Sequence, residues 1–79
     1  MEQQDLTIWY RVRPLHAPLR FCKIETYPTL PLALQRKAEM FYSCTMGEEA
    51  ITVEIDRVKR ATGCLFITTI LKEEYRPDV

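Results

Sequence analysis

The run Cys64-Leu65-Phe66-Ile67-Thr68-Thr69-Ile70-Leu71 contains no charge, proline or glycine and is rich in β-branched and aromatic side chains, the composition of a β-strand. Alternate residues of a strand face opposite sides. Cys64, Phe66, Thr68 and Ile70 therefore form one row, and Leu65, Ile67, Thr69 and Leu71 the other. Both rows are largely apolar, which predicts a central strand covered on both faces.

Just before this run, Ile51, Val53 and Ile55 alternate with Thr52, Glu54 and Asp56, the pattern of a strand with one core face and one wet face. Val58 departs from that phase. Lys59-Arg60-Ala61-Thr62-Gly63 reads as a turn, with Gly63 suited to a positive φ. The two strands are expected to pair as an antiparallel hairpin. Beyond them, the charged run from Lys72 to Val79 is expected to be an unstructured tail, flexible from Glu73 on.

Upstream, Leu32 to Thr45 contains Ala, Leu, Gln, Arg, Lys, Glu and Met, which are strong helix formers. Thr29 stands where an N-cap belongs, and Pro31 in the first turn loses no intrahelical hydrogen bond. At about 100° per residue, Leu30, Ala33, Leu34, Ala38, Met40, Phe41 and Cys44 share a face, with Phe41 at its centre. Gly47 is placed to stop the helix in a left-handed cap.

At the other end, residues 1–5 are polar and expected to be frayed. Leu6, Ile8, Tyr10 and Val12 then alternate with Thr7, Trp9, Arg11 and Arg13, giving a half-buried strand that Pro14 should end. Leu19 to Tyr27 reads as a second strand whose phase requires a bulge near Cys22 or Lys23. The reading is a single α+β domain spanning residues 1–79. It is a small antiparallel four-stranded sheet with one helix packed on one face, in the order β-β-α-β-β.

One helix covers one face of such a sheet. The other face should therefore pack on a second copy of the chain or receive another protein. Trp9, Arg11 and Arg13, with Leu65, Ile67 and Leu71 of the last strand, are the expected contacts, since Trp and Arg are favoured interface anchors. The plainer reading of Trp9, Arg11 and Arg13 is a solvated strand face, with Trp9 lying on a neighbouring side chain. The leading expectation is a small non-catalytic protein-interaction module, a homodimer or an adaptor or inhibitor of a larger protein.

The alternative is a nucleic-acid-binding regulator using Arg11, Arg13, Arg57, Lys59 and Arg60. Eleven basic and eleven acidic side chains cancel, whereas a general nucleic-acid binder is usually strongly basic. Glu54 and Asp56 also lie beside the basic turn and weaken its field, which favours a solvated turn.

Chemistry-bearing motifs are lacking. His16, Cys22, Cys44 and Cys64 form a Cys₃His set by composition, but they are separated by six, twenty-two and twenty residues, unlike the tight pairs of structural zinc sites. Lys37 falls inside the helix's apolar arc. A buried lysine there can be a nucleophile, but a long stem snorkelling past the core is the favoured reading, because no partner acid or carbonyl-binding motif accompanies it. There is no Gly-rich phosphate loop, and the one histidine, His16, has no triad around it. An enzyme subunit would need a pocket that gathers Lys37 or His16 with an acid. No metal and no cofactor are implied. An odd cysteine count, no signal-like opening segment and no apolar run near the about 20 residues that cross a bilayer point to a reduced, cytoplasmic protein with no membrane contact.

Overall fold

The computed structural model describes residues 6–78; the frayed start expected at residues 1–5 lies outside them. The elements are β1 (Leu6–His16), β2 (Glu25–Tyr27), α1 (Leu30–Met46), β3 (Ile51–Ala61) and β4 (Cys64–Tyr75). The fold is α+β in the order the sequence predicts, with four antiparallel strands in one sheet arranged β2-β1-β3-β4.

That strand order overturns the expectation for residues 64–71. β4 is an edge strand, and the central strands are β1 and β3. α1 packs chiefly over β1, β2 and β3 and meets β4 only toward its C-terminal end, where Lys37 pairs with Glu73. Leu65 is 57% exposed, Phe66 52%, Ile67 50% and Ile70 38%, so a strand with the composition of a core is largely uncovered.

The core lies between α1 and one sheet face. Ile51, Val53 and Ile55 of β3 and Val12 of β1 meet Ala33, Met40 and Cys44 of α1, all buried. Met40, rather than Phe41, sits at the centre of the helix face. Phe41 and Leu30 pack at its margin, and Leu34 and Ala38 are exposed. Thr29 takes the extended N-cap conformation, although its hydroxyl makes no capping bond. Gly47 ends the helix with φ −94°, and the left-handed residue is the next one, Glu48, at φ 53°.

Several boundaries shift for local reasons. β1 runs past Pro14 to His16 with a register irregularity between them. Leu19–Phe21 forms a short 3₁₀ turn in place of a bulged strand, which shortens β2 to three residues. β3 continues through Lys59 and Arg60, leaving a two-residue turn at Thr62 (φ 50°) and Gly63 (φ 82°); paired positive φ values match the twist of a tight hairpin. Residues Lys72 to Tyr75, expected in an unstructured tail, extend β4.

The molecule measures 55 × 19 × 17 Å, with a radius of gyration of 14.8 Å against about 12 Å for a compact chain of this length. The length comes from the β1–β3–β4 arm. The buried row of β3 ends at Ile55, and the next residues of that row, Arg57 and Lys59, are exposed.

Candidate functional site: the open sheet face and edge strand

Directly opposed residues of antiparallel strands share a face. On the face away from α1, the register places Trp9 beside Val58 and Val58 beside Ile67. Arg11, Asp56 and Thr69 form the next row, and Arg13, Glu54 and Lys72 the one after. Thr7, Arg60 and Leu65 form the row nearest the hairpin turn.

Val58 thus stays in phase with Asp56 and is 2% exposed because strand neighbours flank it on both sides. Its apparent break in the sequence pattern is an apolar residue inserted in the polar row.

Asp56 anchors the middle of this face and is fully buried. Its carboxylate accepts hydrogen bonds from Arg11 Nε at 2.7 Å, Arg13 Nε at 2.9 Å and Thr69 Oγ1 at 2.8 Å. Arg13 also donates to Glu54. Burial pushes the Asp56 carboxyl up, but the bonds from Arg13, Arg11 and Thr69 outweigh it and hold the group at about 2. A buried carboxylate with this many charge-assisted donors is a structural clasp across three strands.

The expected contact residues are divided by this geometry. Trp9, Arg11, Arg13, Leu65 and Ile67 share the helix-free face. Leu71 does not. The register steps from Ile55 opposite Leu71 to Asp56 opposite Thr69, leaving Ile70 as an extra residue. This bulge flips the phase and sends Leu71 to the helix side, against the core. Arg11 and Arg13 are held by Asp56 and Glu54.

The five cations of the nucleic-acid alternative likewise form no single surface. Arg11, Arg13 and Arg60 lie on the helix-free face, and Arg57 and Lys59 on the opposite one. Two participants were overlooked in the sequence. Asp56 has a signal, because Arg11/Arg13 and Glu54/Asp56 are opposite charges with the same two-residue spacing. Phe66 has one too, since Arg57 and Lys59 continue the Ile51-Val53-Ile55 row that its strand neighbours must join.

Other candidates resolve locally. The Lys37 ammonium pairs with Glu73 and lies 5.2 Å from the centre of the Phe41 ring, in an open groove of about 420 Å³ that also includes Tyr42 and Glu74. His16 and Asp78 line an open depression of about 380 Å³ with Arg76. An acid therefore stands near each, without a nucleophile–base pair. Cys44 is buried in the core, whereas Cys22 and Cys64 are exposed, and all three are free thiols. Among the described residues, no three His, Cys, Asp or Glu side chains gather as metal ligands, and no helix is long and apolar enough to cross a membrane.

No protein-family model, curated protein or solved structure matches this chain.

Proposed function

We propose that this chain is a non-catalytic protein-interaction module that self-associates, two copies meeting along β4 to form a homodimer. The observation that carries this reading is the twelve-residue edge strand with apolar side chains exposed on both of its faces. An open strand edge presents unpaired backbone donors and acceptors and is a template for strand addition. A long apolar edge is also a liability unless something covers it.

A second copy suits the edge because of where its charges fall. Antiparallel pairing about a two-fold axis within Cys64–Leu71 lays the uncharged run on itself, and Lys72, Glu73 and Glu74 stay beyond it. Two-fold pairing also closes the assembly and prevents further growth. Leu65 and Ile67 flank the joint on the helix-free face, with Trp9 two strands further in beyond Val58, while the Asp56 clasp ties these three strands together. The free thiols suit action in the cytoplasm, a reducing compartment.

Sedimentation equilibrium on the wild type and Ile67→Lys tests the reading. The wild type should be dimeric at micromolar concentration and the variant monomeric with an unchanged circular dichroism spectrum. A monomeric wild type, or a variant that dimerises equally well, overturns it.

A further inference from the structure

We propose that the helix-side face of the β3–β4 arm binds single-stranded nucleic acid, with Arg57 and Lys59 on backbone phosphates and Phe66 as a stacking platform for a base. This site lies on a face and leaves the β4 edge free, so it is independent of self-association.

The row Ile51, Val53, Ile55 runs beneath α1, and the same row emerges beyond the core as Arg57 and Lys59. Cross-strand register sets Thr68 beside Arg57 and Phe66 beside Lys59, with Tyr10 and Ile8 on the β1 side. Arg57, Lys59, Phe66 and Thr68 line a shallow depression of about 180 Å³. The Lys59 ammonium lies 5.9 Å from the centre of the Phe66 ring, which is half exposed.

Charge is what assigns the ligand. Glu54 and Asp56, close to these cations in sequence, lie on the opposite face and are already bound by Arg11 and Arg13. Among the described residues, no carboxylate is within ion-pairing distance of Arg57 or Lys59. Two cations without a carboxylate partner among the described residues, set around an exposed aromatic ring on an open strand surface, match a ligand with phosphates and flat rings together. Single strands splay their bases onto such rings, whereas a duplex keeps them stacked.

The test is fluorescence anisotropy of a labelled oligothymidylate titrated with the full chain across a salt series. Binding should weaken with salt at a slope of roughly −1.4 in log–log form, as expected for two phosphate contacts on a single strand. The Arg57→Glu/Lys59→Glu variant should lose at least about tenfold in affinity, since it reverses both phosphate contacts. Phe66→Ser should lose about fivefold or more, and Phe66→Tyr should retain binding, because the ring is kept. Lys23→Glu, a charge change in the loop before β2, should bind as the wild type does. No saturable binding at low salt overturns the proposal. So does equal loss in Lys23→Glu, or binding of heparin or anionic phospholipid vesicles in preference to the oligonucleotide.

Discussion

The Arg11 guanidinium donates to the fully buried carboxylate of Asp56 at 2.7 Å, directly across the β1–β3 ladder. Asp56 receives Thr69 from the other side, so one side chain ties β1, β3 and β4 together where the helix offers no cover. A buried ion pair is not a large net source of stability, but removing one partner strands the other.

Asp56→Asn should therefore destabilise the fold by about 3–5 kcal/mol, since Arg11 and Arg13 lose their counter-charge. Urea denaturation at neutral pH measures it. A change below about 1 kcal/mol, the range of exposed ion pairs, would show that the cluster is merely superficial.

The same group sets an acid response. Its folded value, about 2, lies below the ordinary 3.8, so the unfolded chain takes up the proton first. The stabilisation, about 2 kcal/mol, is fully present above pH 4 and is lost as pH falls through about 2. Stability of the wild type should decline over that window, and that part of the decline should be absent in Asp56→Asn.

Met40→Ala should cost about 2–5 kcal/mol, because it opens a cavity between α1 and the sheet. Phe41→Ala should cost distinctly less, since Phe41 lies at the margin of that layer. Thermal melts of the two variants compare them directly, and the reverse order would mean that α1 is rotated from the orientation described.

Trp9→Ala should lower stability more than association, because β3 stands between Trp9 and the β4 edge. Trp9 flanks Val58, which is 2% exposed, and is only half-buried itself, so a loss of about 1–3 kcal/mol is expected, below the full range for a core aromatic. Denaturation and sedimentation of the same variant separate the two effects. A stability unchanged within error would remove Trp9 from the packing of this face.

The helix and the alternating strands β1 and β3 are written in local periodicity, which is why their faces can be read from residues alone. Strand order is not local. Apolar side chains in both rows of β4 carry the same signature whether a strand is covered by its own chain or left open at an edge. β3 looks half-wet in sequence yet is central, because Arg11, Arg13 and Thr69 reach it from neighbouring strands and satisfy Asp56. The bulge at Ile70 also has no local marker, and it alone moves Leu71 off the expected surface. Of the candidate contacts, Trp9, Leu65 and Ile67 could be placed together from their alternation. The separation of Arg57 and Lys59 from Arg60 follows from the same alternation once β3 is seen to continue through the expected turn.

The most direct test of the account is the solution mass of the wild-type chain by light scattering behind a sizing column, at low and at high salt. Self-association along an uncharged strand edge predicts the mass of two chains at both, because screening weakens exposed charge contacts and leaves apolar burial and ladder hydrogen bonds in place. The mass of a single chain at every concentration and salt would contradict it.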